Sequence, residues 1–266
     1  MPKSKSSKIA AILYTLRDHA ETPAQALRTL KRVRKIGYEN IQIAGGTFGA
    51  MDPADMRKLA DDTGLRIVGT HLGLGDLQED LGSVIDRVHT YGCKYTTLSS
   101  FAQGSGTAAI WKAFGKQCNR FGRRLKKEKI QLQYHNHAFE FEKLGIRGGK
   151  GGITRFDTLM QSSDPKYLQS ELDVAWVSRG GYDPAAVLAT VKGRVDQVHA
   201  KDWGMVNQDQ VWRAVGEGGL NWKAIIKAGK SAGVKMWIVE QDTCPITNDP
   251  FKSIAISYEN MMEMPV

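Results

Sequence analysis

Short apolar, β-prone runs alternate along the chain with stretches in which apolar residues recur every three or four positions. The runs fall at 8–14, 39–44, 66–71, 94–99, 129–135, 168–173, 194–199 and 235–240. Most are continuously apolar, as strands of a parallel sheet covered by helices must be. Between two of them, Leu77, Leu81, Val84, Ile85 and Val88 share one face at helical spacing. Several runs follow a glycine suited to the left-handed residue that ends a helix, as in IGYENIQIA, TGLRIVGTH, YGCKYTTLS and AGVKMWIVE. Helix starts carry the opposite mark, a capping residue and then proline: Thr22-Pro23, Asp52-Pro53, Asp183-Pro184 and Asp249-Pro250. Eight strand–helix units without a break in composition predict an α/β fold. The expected form is a single (β/α)8 barrel over residues 1–266, with 1–7 as a tail; a doubly wound sheet is the alternative. The distinction bears on function, because a barrel gathers its chemistry where strands end and βα loops begin.

Composition narrows the setting. Hydrophobic residues make up 41% and charged residues 24%, the balance of a globular protein. No apolar run approaches the roughly 20 residues that span a bilayer. Ile9 to Leu13 is too short for a signal-peptide core despite the lysines before it. Cys93, Cys118 and Cys244 are scattered and form no CxxC pair, which fits a reduced, cytoplasmic compartment without a structural zinc cluster. The net charge of +9 is partly local, in Lys3, Lys5 and Lys8 and in Arg120, Arg123, Arg124, Lys126, Lys127 and Lys129. The second group reads as a solvated helix face rather than a nucleic-acid surface.

Residues able to bind metal or move protons collect at the strand ends. The first strand ends in YTLRD, the second in IQIAGG, the third in GTHLG, the fifth in YHNHAFEFE, the sixth in ELDVAW, the seventh in VHAKDW and the eighth in VEQD. His71, His135, His137, Asp173, His199 and Glu240 all fall there, and of the six histidines only His19 and His89 lie elsewhere. A single strand-end histidine often just caps a loop; a shared location for nearly all of them points to a site. Carboxylates converging with imidazole suit Mn²⁺, Mg²⁺, Co²⁺ or Zn²⁺ better than soft copper. Asp173, His199 and Glu240 come from successive strands, which makes their tips neighbours around the rim. In YHNHAFEFE the two histidines and then the two glutamates are spaced by two, which in an extended chain aims the members of each pair the same way.

Taken together, LYTLRD, YHNHAFEFE, ELDVAWV, GRVDQVHAKD, VGEGGLNW and WIVEQD run essentially end to end. They resemble the xylose-isomerase-like TIM-barrel superfamily, in its sugar-phosphate isomerase/epimerase-like branch. The resemblance implies one divalent metal, Mn²⁺ favoured, held by Glu, Asp, His and Glu from strands 5 to 8. Asp173, His199 and Glu240 match three of those positions. The fifth strand departs: where many relatives carry Glu-Asn-His, this chain has His135-Asn136-His137. Either Glu140 folds back as the fourth ligand, the preferred reading, or His135 takes that place and Glu140 holds a substrate hydroxyl. Glu142 is expected to face solvent. Gln42 also departs, standing where such relatives commonly carry Glu.

The chemistry implied is proton abstraction next to a metal-held carbonyl, through an enediolate, with Glu240, His135 and Glu140 as catalytic candidates. Reprotonation isomerises or epimerises a sugar or polyol; loss of a β-substituent instead gives a keto-sugar or inosose lyase or dehydratase. Arg17, His71, His137, Trp176, Lys201 and Trp203 are the candidate substrate contacts. Trp176 and Trp203 follow the sixth and seventh strands and suit stacking on a sugar ring, a role not expected of Trp111, Trp212, Trp222 or Trp237. Apurinic endonucleases share the barrel but need Asp-x-x-His where this chain has Asp173-Val174-Ala175-Trp176. The expected partner is a small carbohydrate or polyol, with no specific nucleic acid and no membrane; self-association into a homo-oligomer is left open. The glycine-rich GIRGGKGG fails as a phosphate loop, since Gly151 follows Lys150 and Leu144 fills the required upstream glycine position. It reads as a hairpin. GSGTAA satisfies GxGxxA, but no acid stands at a following strand end about 20 residues on; a helix starting at Thr107 could still hold an anion.

Overall fold

Eight parallel strands close into a barrel in the computed structural model, which describes residues 5–101, 106–145 and 152–266. They are β1 (Ile9–Ile12), β2 (Asn40–Ile43), β3 (Arg66–Leu72), β4 (Tyr95–Leu98), β5 (Gln131–His135), β6 (Leu168–Asp173), β7 (Gln197–Ala200) and β10 (Met236–Val239). β10 pairs with β1 to close the ring. Each lies within or against a run expected from the sequence. Between β7 and β10 the chain adds an unexpected antiparallel hairpin, β8 (Asp202–Val206) and β9 (Asp209–Arg213). Its two turn residues, Asn207 and Gln208, both have positive φ, 49° and 72°, the backbone that a tight right-twisted hairpin requires.

The marked helix ends behave as the local chemistry demands. Thr22, Asp52, Asp183 and Asp249 each cap a helix through a side-chain oxygen, with proline at the next position. Gly64 and Gly92 end helices in the left-handed conformation. The apolar stripe of Leu77 to Val88 is split between helices Leu74–Glu79 and Leu81–Tyr91, because Asp80 leaves helical geometry to cap the second one. At the end of the expected tail, Ser6–Lys8 form a 3-10 turn, Ser6 Oγ donates to Glu39 Oε1 at 2.6 Å, and Lys8 Nζ donates to the Val266 carbonyl. Gly104, Ser105 and most of GIRGGKGG lie outside the described residues. No helix among the described residues is long and apolar enough to cross a membrane.

Helix Ala108–Lys127 packs unusually close to the segment after helix Arg155–Ser162. A Cβ at Gly122 would sit 2.1 Å from the Tyr167 carbonyl oxygen, and one at Gly115 would sit 2.2 Å from Ser162 Oγ. Backbone cannot yield as a side-chain tip can. Gly122→Ala is therefore expected to cost about 1–3 kcal/mol through forced displacement, read as a lower urea midpoint at unchanged slope. A midpoint equal to wild type would show that the helix can simply back away.

The main core lies between the sheet and the helices, and a smaller cluster of Ala10, Ile12, Ala44 and Ile238 fills part of the lumen. The rest of the lumen is polar. Gln42, Gln133, Glu171, Gln197 and His199 are all buried there. That polar layer leads directly up to the C-terminal mouth of the barrel.

Candidate metal and substrate site

Register brings the site together. Asp173 on β6 pairs with His199 on β7, and His199 with Ile238 on β10, so Glu240 just beyond β10 comes level with them. His135 closes β5 next door. Ligand-capable atoms of His135, Asp173, His199 and Glu240 all lie within 4.8 Å of one another, and all four residues are buried. Asp173 also caps helix Val174–Arg179: its Oδ1 accepts from the N–H groups of Ala175 and Trp176, both at 2.9 Å. Asn136 ties the ends of β5 and β6, its Oδ1 accepting from Asp173 N–H at 3.0 Å and its Nδ2 donating to the Asp173 carbonyl. Those duties leave Asp173 Oδ2 without a hydrogen-bond partner among the described residues, and His135 Nδ1 likewise. Two such buried orphans on residues of one cluster demand an account, since buried polar groups are nearly always satisfied.

Charge in the cluster is tightly coupled. Lys201 is fully buried, with Nζ 2.7 Å from Asp242, 3.5 Å from Glu240 and 3.7 Å from Asp173, over the rings of Trp176 and Trp212. Burial opposes its charge, but those three carboxylates outweigh burial and raise its pKa. Burial likewise opposes charge on Glu240, yet Lys201 and His199 hold its carboxyl well below the usual range. His199 is raised to about 10 against burial by Glu171 and Glu240. Burial, helped by His199 and His137, pushes His135 well below an ordinary imidazole, so it stays neutral, as a metal ligand must be. His137 falls to about 4 through burial and Lys201. Asp173 rises to about 7 through burial, partly offset by Lys201.

Above the cluster opens a cleft of about 620 Å³, walled by His71, His135, His137, Trp176, Glu240 and Asp242. Its other wall is less polar, with Ile12, Tyr14 and Ala44. His71, His137 and Trp176 thus stand where the sequence placed them. The remaining expected contacts do not line the cleft. Lys201 is enclosed beneath it. Trp203 lies on β8, its Nε1 donating to Ser178 Oγ at 3.3 Å. Arg17 sits at the rim, bonding the carbonyls of Tyr14 and Asp242.

Glu140 also differs from expectation. It is fully buried, but its carboxylate accepts from Tyr134 Oη at 2.7 Å and from His137 N–H at 2.8 Å, and it is absent from the cluster. Tyr134 faces away from the lumen, against Trp111 and Phe114, and the short turn Phe139–Phe141 folds Glu140 to that side. Burial raises Glu140 to about 7 despite the bond from Tyr134. Glu142 is exposed and pairs with Arg155. Trp212, given no role from the sequence, packs edge-on against Trp176 with ring centroids 4.7 Å apart. Glu171 and Asp242 were also missed, though Glu171 shares the lumen face of β6 with Asp173 by the two-residue period of a strand.

Residues 30–250 match the xylose isomerase-like TIM barrel family, and the chain belongs to that family. Among solved structures, it is similar to a sugar phosphate isomerase/epimerase from Parabacteroides distasonis, with a TM-score of 0.83 and 23% identity over 100% of this chain and 96% of that one. It is similar also to a xylose isomerase-like TIM barrel protein from Mycobacterium smegmatis in complex with magnesium (TM-score 0.75, 13% identity, covering 99% and 98%). A third is a probable 3-DHS dehydratase from Bacillus anthracis (TM-score 0.70, 12% identity, covering 95% and 98%). At such identities the likeness is one of fold. No curated protein matches the chain.

Proposed function

We propose that the protein is a divalent-metal-dependent enzyme that removes the proton next to a carbonyl of a carbohydrate or polyol, as an isomerase or epimerase. The observation that carries this reading is the pair of buried orphans, Asp173 Oδ2 and His135 Nδ1, in a cluster completed by His199 and Glu240. Two imidazoles and two carboxylates fit Mn²⁺, Co²⁺ or Zn²⁺, with Mg²⁺ less suited to so much nitrogen. His135, rather than Glu140, is the fourth donor in this reading. When bound, the cation supplies Lewis acidity toward a carbonyl.

The chain's own residues supply the rest. Lys201 and His199 hold the Glu240 carboxylate ionised, and Glu240 is the group assigned to take the proton. His137 lines the cleft with Nδ1 unpartnered and holds a substrate hydroxyl. Trp176, backed by Trp212, offers a flat apolar face to the sugar ring. Loss of a β-substituent from the same site, a lyase or dehydratase reaction, is the second reading. His71 favours it, because it adds another imidazole to the cleft wall, placed to hold a leaving hydroxyl.

The test is solvent-deuterium exchange with Mn²⁺ present, over a panel of ketoses, 3-keto sugars and inososes. Deuterium is expected at the carbon next to the carbonyl. Retention of the hydroxyl groups marks isomerisation or epimerisation, and loss of one marks the lyase. A substrate that turns over while keeping its α-proton would contradict both.

A further inference from the structure

Glu171 stands two residues before Asp173 on the same face of β6, so it enters the lumen directly beneath the cluster. It is fully buried and does not line the cleft. Gln42 Nε2 donates to its Oε1, and the Nε2 atoms of His71 and His199 lie 2.7 and 3.3 Å from its Oε2. The chemistry of these partners leaves one arrangement. An ionised carboxylate only accepts, so the amide nitrogen of Gln42 must face Glu171. The amide oxygen of Gln42 then faces His199 Nε2, at 2.9 Å. An amide oxygen also only accepts, so His199 Nε2 carries a hydrogen. Nδ1 of His199 faces the cluster, 2.7 Å from Glu240 Oε2, and carries a hydrogen there while no cation is bound; binding a cation would release that proton. His71 donates to Glu171 in the same way, and its ring lines the cleft.

We propose that Glu171, acting with Gln42, is a positioning residue that fixes His199 with Nε2 protonated and Nδ1 turned to the cation. It also holds His71 with Nδ1 presented to the cleft. The inference rests on the metal reading of the site and settles which donors that site uses. His71, His135, Glu171 and His199 form a second group close enough to hold an ion. There, however, both Glu171 oxygens already have close partners, whereas Asp173 Oδ2 has no hydrogen bond and only Lys201 Nζ, 3.7 Å away. Glu171 is the anchor behind the ligands rather than a ligand.

A carboxylate that holds the far nitrogen of a ligating histidine typically changes metal affinity 10–100-fold. Co²⁺ titration followed by visible absorption is therefore expected to show one ion per chain in the wild type. Glu171→Gln should weaken its binding about 10–100-fold, with an altered spectrum. Gln42→Met should weaken Co²⁺ in the same direction and carries the test if the first variant does not fold. A metal-free readout stands beside it: imidazole ¹⁵N signals of His71 and His199 should move in both variants. Those of His19, packed on Phe251, and His89, bonded to the Glu128 carbonyl, should not. Unchanged Co²⁺ affinity in folded variants overturns the proposal, as does a wild type that holds two ions and drops to one in Glu171→Gln. A wild type that binds no Co²⁺ defeats the metal reading instead, and unmoved ¹⁵N signals then defeat the anchoring as well.

Discussion

Saturating Mn²⁺ is expected to raise the melting temperature of the wild-type protein by several degrees, and Asp173→Asn is expected to abolish most of that rise. At a hundred times its Kd, a ligand that binds only the folded state adds about 2.7 kcal/mol, which for a domain of this size is roughly 5–10 °C. The substitution separates two jobs of one side chain. Asparagine caps helices about as well as aspartate, so the bonds to Ala175 and Trp176 N–H survive. The lost oxygen charge is the one that no hydrogen bond satisfies. The metal-free variant should lose only what that charge contributes against the buried Lys201 ammonium, 3.7 Å away. Equal metal-induced shifts in the two proteins would remove Asp173 from the site.

The largest catalytic effect is expected from Glu240→Gln. A positioned base contributes about 10²–10⁴ in rate, and glutamine cannot take a proton. With Mn²⁺ content measured on the same samples, deuterium exchange into a true substrate should fall by that factor even where the metal is retained. His137→Ala should act differently, weakening substrate binding more than turnover. If metal-loaded Glu240→Gln exchanges at the wild-type rate, another group removes the proton.

The barrel was legible because its signals are local. Capping pairs such as Asp52-Pro53 and glycines such as Gly64 mark helix ends whatever the tertiary context, and continuous apolar runs mark buried strands. Asp173, His199 and Glu240 were legible because each falls within one residue of the end of a strand, where the direction of a side chain is set by the pleat. That rule stops with the strand. Beyond His135 the chain turns, and Glu140, which the resemblance offered as the fourth ligand, goes instead to Tyr134 on the opposite face. Glu171 carried a readable signal, two residues before Asp173, but it sits one layer below the rim where ligands are sought. The β8–β9 hairpin gave none. Its turn is Asn207-Gln208 rather than a glycine-bearing pair, and only pairing across it brings Trp212 opposite Trp203 and beside Trp176.

The central claim is that His135, Asp173, His199 and Glu240 hold one divalent cation. A crystal grown with Mn²⁺ and measured for anomalous scattering tests it most directly. One peak per chain is expected within bonding distance of all four side chains, with His199 contributing Nδ1. No peak in the barrel mouth, or a peak coordinated through Glu140 or Glu171 in place of His135 and Asp173, would contradict it.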